Sequence, residues 1–234
     1  MKGSVLLLGP PGAGKTSSLR NVAKDKILNP KVYVINSERK DLPFPEKMKW
    51  ESRPKNTKEI LTTYDQLIAA GVAKGIIAVL QDSFSAFVEL AAAEARALYS
   101  GYDIWKAYNA SISELFIKQK DLVDASIHSF MIAHDEVVVD EGSALVKRSA
   151  KVKGKEWEGM VEKEFNIALW AEVVPDEKDT TGTKFKHRFM TNTNGKIPAK
   201  SPVDMFPRFI DNDLKLVIES IQNYGVEKPE SQQV

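Results

Sequence analysis

The sequence predicts an α/β fold: a mostly parallel central sheet flanked by helices, with antiparallel strands at its C-terminal edge. Three observations predict it. The first is Gly9-Pro10-Pro11-Gly12-Ala13-Gly14-Lys15-Thr16, a glycine-rich run set between a short apolar stretch and a helix-like one. The second is the alternation of apolar runs with helical patterns up to Ala133, the rhythm of strand–helix–strand units. The third is the change beyond Ala133 to strand-like runs, which suits an antiparallel edge.

Composition narrows the functional classes. Lys+Arg number 33 against Asp+Glu 32, so no global field draws the chain to nucleic acid, and any basic surface must be local. The chain has no cysteine, which excludes disulfides and thiolate metal sites. No apolar run approaches the roughly 18 residues of a membrane span, so no membrane partner is expected. The N-terminus runs straight into strand and glycine loop, leaving no room for a signal peptide; the expectation is a soluble, cytoplasmic protein. One domain is expected over residues 1–224, with a disordered polar tail at 225–234.

Ser4-Val5-Leu6-Leu7-Leu8 reads as a buried strand, and residues 17–27 read as a helix with apolar positions at Leu19, Val22, Ala23 and Ile27. The run from Gly9 to Thr16, with Ser17 behind it, matches G-x-x-x-x-G-K-[ST] in the strand-to-helix context that the motif requires. Its glycines let successive N–H groups turn inward on a phosphate. The helix start adds positive potential. Lys15 is placed to reach the β- and γ-phosphates, and Thr16 to ligate Mg²⁺.

Lys31-Val32-Tyr33-Val34-Ile35-Asn36 is the second strand. Glu38, just past its carboxyl end, falls in the crevice where open α/β sheets bind ligands, and there it can polarise a water. Residues 41–54 carry three prolines and read as loop, with a short strand at Met48-Lys49-Trp50. Asn56 or Thr57 caps a helix to Ala70, with Glu59 as the capping-box partner. Residues 75–83 form a buried strand ending in Asp82-Ser83. An aspartate there takes the Mg²⁺ that Thr16 holds. A rival acidic strand end, Asp135-Glu136, follows Phe130 to His134.

Helices are predicted over residues 84–100 and 104–125. The stripe Trp105, Tyr108, Ile112, Leu115, Phe116, Gln119 and Leu122 on the second reads as core. Residues 128–133 form a strand with His134 at its tip, placed to sense the γ-phosphate. His128 and His187 read as surface or capping groups. Residues 135–164 read as a mobile loop, with a hairpin of Val137-Val138-Val139 and Ala144-Leu145-Val146 around an acidic Gly turn. Lys147, Arg148, Lys151, Lys153 and Lys155, with Trp157 behind them, suit a phosphate backbone and a stacked base, although glutamates dilute the field. Residues 167–174 and 185–193 form an antiparallel pair, and residues 214–224 form the last helix.

With Lys15, Glu38, Asp82 and His134 so placed, the chain resembles a RecA-type P-loop ATPase core over about residues 3–207. Within that group it is similar to core-only RecA-like proteins of bacteriophages, some of which anneal single strands in recombination. The supporting segments are Ile104-Trp105-Lys106-Ala107-Tyr108 and Ala133-His134-Asp135-Glu136. The resemblance implies a DNA-stimulated, Mg²⁺-dependent ATPase. It implies Glu38 as the base and His134 as the switch into a DNA-binding loop. It also implies a basic residue given across a subunit interface, for which Lys200 is the first candidate and Lys196 the second. Single-stranded DNA, a second copy of the chain and a single-strand-binding protein are the implied partners, in the host cytoplasm if the chain is phage-encoded. RecA's N-terminal docking segment has no counterpart ahead of Gly9, which takes away the device for RecA-type filaments and leaves rings or partner-assisted assembly open. The competing class is an AAA+ motor or loader using Glu136 and Arg208; a third is a regulatory nucleotide-binding module.

Overall fold

The computed structural model describes residues 1–139 and 146–226. Six strands run parallel: β1 (Ser4–Gly9), β2 (Val32–Asn36), β3 (Trp50–Ser52), β4 (Ala78–Asp82), β5 (His128–Val139) and β7 (Ile167–Pro175). β6 (Val146–Ala150), β8 (Phe185–Met190) and β9 (Phe209–Asp211) are antiparallel to their partners. The order across the sheet is β3-β2-β4-β5-β1-β7-β8-β9, with β6 pairing the far half of β5. The predicted architecture, with its antiparallel edge, is the observed one.

The central strands are apolar at nearly every position because both faces are covered. Leu6, Leu8, Val79 and Met131 face α2 (Thr57–Ala70), α3 (Phe84–Leu98) and α4 (Asp103–Asp124). Val5, Leu7, Leu80 and Phe130 face α1 (Arg20–Lys24) and α5 (Leu214–Asn223). Asn56 caps α2 by accepting the Glu59 amide at 2.8 Å, and Glu59 returns the bond to the Lys55 amide at 2.7 Å. The box is therefore closed one residue earlier than the usual reciprocal pair.

Several elements depart from expectation. The helix after the glycine loop is short: one 3₁₀ stretch, Thr16–Leu19, leads into α1, which stops at Lys24. Asp25 accepts the amides of Ile27 and Leu28, a turn that ends the helix and leaves Ile27 73% exposed rather than packed. β3 sits two residues later than the expected 48–50 strand. Trp105, placed on the core stripe by spacing, is exposed, while the rest of that stripe is buried. The largest departure is β5. It does not stop at Ala133 but continues through Val139 and pairs with β6, from Asp135↔Ala150 to Val139↔Val146. The ribbon answers to the hairpin expected within 135–164, but its first strand is continuous with the sheet and its second runs over 146–150 rather than 144–146; a 3₁₀ turn, Val161–Glu164, follows. The acidic Gly turn of the expected hairpin, and the tail from residue 227 onward, lie outside the described residues.

Candidate active site

The parallel register gathers the carboxyl ends of β1, β2, β4 and β5. Gly9 pairs with His134, Asn36 with Asp82, and Asp82 with Ile132. The residues just past these ends therefore face one another across a few ångströms.

Gly9 lies so close to β7 that a Cβ would stand 2.5 Å from the Ala171 carbonyl oxygen. Gly14 has φ +86°, and its Cβ would meet the His187 ring at 2.8 Å. Both positions require glycine. Between them the loop Pro10, Pro11, Gly12 and Ala13 turns back, with the Ala13 amide donating to the Pro10 carbonyl at 3.3 Å. Ser17 continues it into the 3₁₀ turn.

Lys15 is 6% exposed. Its ammonium donates to the carbonyls of Gly9 at 2.6 Å and Pro10 at 2.9 Å, and lies 3.5 Å from His134 Nδ1. Burial lowers its pKa to about 8, against the pull of Asp135, Asp82 and Glu38. Thr16 donates its hydroxyl to Asp82 Oδ2 at 2.8 Å. Burial raises the Asp82 pKa to about 6, and the neighbouring Glu38 charge adds to the rise. A hydroxyl and a buried carboxylate in contact are the hard-oxygen set that suits Mg²⁺, which takes one or two protein oxygens and otherwise phosphate and water.

Glu38 accepts from the Ser83 hydroxyl at 3.0 Å and from Lys40 at 2.8 Å, and stands 3.8 Å from His134 Nε2. Burial alone would raise its pKa. The bonds from Lys40 and Ser83 outweigh that and hold it below the ordinary glutamate value. His134 is pushed below its ordinary value by burial and by the Lys15 charge, which favours its neutral form. Lys15, His134, Glu38 and Lys40 form one continuous polar line beside the Thr16–Asp82 pair.

Other expected residues lie elsewhere. Glu136 accepts the Val152 amide at 3.0 Å, out on the ribbon, and Arg208 lies over the Phe209 ring at 5.5 Å. Neither stands with the groups around Lys15. Lys200 bridges Ala168 on the N-terminal half of β7, half-buried with Glu162 and Glu164 nearby, away from the strand tips. Lys196 is exposed on a turn whose carbonyl accepts the Arg148 amide.

The basic group is divided. Lys147, Arg148, Lys151 and Lys155 are exposed. Arg148 is ion-paired with Asp135, and Lys153 with Glu89 at 2.8 Å. Trp157 corrects the stacking expectation: its ring packs on Phe116 with centroids 5.1 Å apart, as part of the core. An aromatic at helix or strand spacing from charged residues gives no sign of which way it faces, and here burial wins. His128 is a structural group, accepting the Gly3 amide at 3.2 Å.

Sequence reasoning missed the bonds of Ser83 and Lys40 to Glu38 and the packing of His187 against Gly14. Ser83 and Lys40 sit beside residues it did name, with no spacing rule to mark their bonds. His187 reaches Gly14 only through the β1–β7–β8 register, which no local pattern reveals.

No protein-family model matches the chain, and no curated protein matches it. Among solved structures it is similar to a KaiC-like protein from the hyperthermophilic archaeon Pyrococcus horikoshii OT3. That match has a TM-score of 0.48 and 16% identity, and covers 81% of this chain and 77% of that one. Fold and site define an α/β protein with a glycine-rich loop and two carboxylates, Glu38 and Asp82, at the tips of a parallel sheet. Among the described residues no helix is long and apolar enough to cross a membrane.

Proposed function

We propose that the chain is a RecA-like ATPase that hydrolyses ATP with Mg²⁺. One observation carries the reading: Lys15, the Thr16–Asp82 pair, Glu38 and His134 converge at the ends of adjacent parallel strands. The loop from Gly9 to Ser17 holds the triphosphate, and Lys15 leaves its own carbonyls to meet the β- and γ-oxygens. Mg²⁺, held by Thr16 and Asp82, supplies neutralisation of those oxygens. Glu38 aligns a water on the γ-phosphorus. His134, between Lys15 and Glu38, contacts the γ-phosphate and carries its loss into β5.

The finer reading is a single-stranded DNA-binding protein of phage-type recombination that anneals or exchanges strands. The exposed Lys147 of the β5–β6 ribbon, with Lys151 and Lys155 just beyond it, and the resemblance of the chain to phage RecA-like cores support it. On this reading the protein works as an oligomer in the cytoplasm, with Lys200 or Lys196 offered to a neighbour and a single-strand-binding protein as a further partner.

Glu38→Gln tests the core of this. ATP should bind as tightly as to wild type, and turnover should fall by about 10²–10⁴-fold. Unchanged turnover in that variant removes Glu38 as the base. Single-stranded DNA should raise wild-type turnover. Turnover indifferent to DNA favours a remodeller of protein partners, and negligible turnover a nucleotide-binding switch.

A further inference from the structure

The ribbon re-enters the body of the protein at Lys151. Its backbone N–H donates to the His134 carbonyl at 2.8 Å, which fixes it beside the proposed sensor. Its side chain lines the same cleft, of about 560 Å³, as Pro11, Glu38, Lys40 and His134. Pro11 of the glycine loop, Glu38 and His134 in its lining put the cleft next to the groups that converge on Lys15.

The other cations around this cleft are engaged. Lys40 is held by Glu38, Lys153 by Glu89 and Arg148 by Asp135, and Lys15 is folded onto its own loop. Lys151 makes no ion pair among the described residues, although it is exposed beside acidic neighbours. Lys200, the expected donor from another subunit, is half-buried on the far half of β7.

We propose that Lys151 is a catalytic residue that supplies, from the same chain, the second cation on the transferred phosphoryl group. This rests on the hydrolysis reading above. In that reaction water adds to the γ-phosphorus and loses its proton toward Glu38. The bond to the β–γ bridging oxygen breaks, and its electron pair leaves with ADP. Negative charge shifts toward the leaving oxygen and spreads over the oxygens of the phosphoryl group in flight. An ammonium carried at the rim of the cleft on a backbone anchored to His134 stabilises that distribution more than the ground state, which is the condition for raising kcat rather than affinity. Lys151 directly follows β6, so the ribbon that would hold a polynucleotide also sets the position of this cation.

The test compares wild type, Lys151→Ala and Lys151→Arg. Lys151→Ala should keep ATP affinity within threefold and lose at least 30-fold in kcat. It should also bind ADP with aluminium fluoride, a mimic of the phosphoryl group in flight, at least 30-fold more weakly, and Lys151→Arg should recover most of both losses. Mixing Lys151→Ala with Glu38→Gln chains should restore nothing, because cation and base must share one chain. Turnover of Lys151→Ala within threefold of wild type overturns the proposal. So does recovery of more than a tenth of wild-type activity in the mixture, which would place the lysine across an interface. A wild-type chain that does not turn over ATP overturns the parent reading and this one with it.

Discussion

Lys15 and Asp82 are the residues whose ordinary charge the fold most opposes, and both oppositions can be measured. The Lys15 amine, near pKa 8 in the free protein, must be protonated to hold a triphosphate. Nucleotide affinity should therefore be flat from pH 6.5 to about 7.5 and fall as pH rises through 8, by up to about tenfold per unit. Fluorescent-nucleotide titrations across pH 6.5–9.5 check this; a flat profile to pH 9.5 removes the amine from the binding interaction. For Asp82 the folded pKa, about 6, lies above its ordinary value of 3.8. Protonation thus favours the fold, and that contribution is lost as pH rises from about 4 through 6. In metal-free buffer Asp82→Asn should be more stable than wild type above pH 6, by at most about 3 kcal/mol. The gap should close as pH falls toward 4. Thermal unfolding of both proteins over that range is the measurement, and a gap that widens in acid refutes it. The sequence made these two residues legible because motif spacing fixes them within a loop or at a strand end. Lys40 and Ser83 were not legible, since their roles come from contact with Glu38 and not from any spacing.

Elements were legible where a single periodicity ran to its natural end. α2, with a cap at one end and Gly71 at the other, is the expected helix. Its buried Tyr64 donates to Gln81 Oε1 on β4 at 2.9 Å, tying helix to sheet. Tyr64→Phe should cost about 1 kcal/mol in urea unfolding, because the Gln81 acceptor is left buried and unpaired. α1 was misjudged because Asp25 turns the chain before the apolar pattern ends. The length of β5 was misjudged because Asp135-Glu136 interrupts its apolar run, so that residues 128–133 and Val137-Val138-Val139 read as two separate strands. That ribbon also revises the expected salt dependence of DNA binding. Five basic residues on single-strand phosphates would give a slope of log K against log[salt] of about −3.5. If Arg148 and Lys153 keep Asp135 and Glu89, the slope should be shallower than that. A flat salt response discards the nucleic-acid reading.

At the scale of the whole molecule the helical layer and the ribbon share one hub. Phe116 on α4 meets Phe84 of α3 at 5.6 Å, Trp157 at 5.1 Å and Phe165 at 6.0 Å. Phe116→Ala should cost about 3–5 kcal/mol and change the Trp157 emission, since the indole loses its packing partner. Unchanged stability would mean that the segment beyond β6 is not anchored there. No sequence pattern joins residue 116 to 157; only the folded packing does. The parallel sheet, by contrast, was legible in the alternation of apolar runs and helical patterns up to Ala133, whereas the parallel pairing of β7 with β1 was not.

β5 passes unbroken from the middle of that sheet into the ribbon. Whatever grips the ribbon therefore holds one end of a rod whose other end is clamped between β1 and β4. Such a rod cannot slide without tearing ladder bonds on both sides, so a load at its tip is felt as tilt. The fulcrum lies where the clamp ends, at His134 and the Lys151 amide bonded to it. A small swing there changes the separation of those two side chains from a bound phosphate and leaves the rest of the sheet at rest.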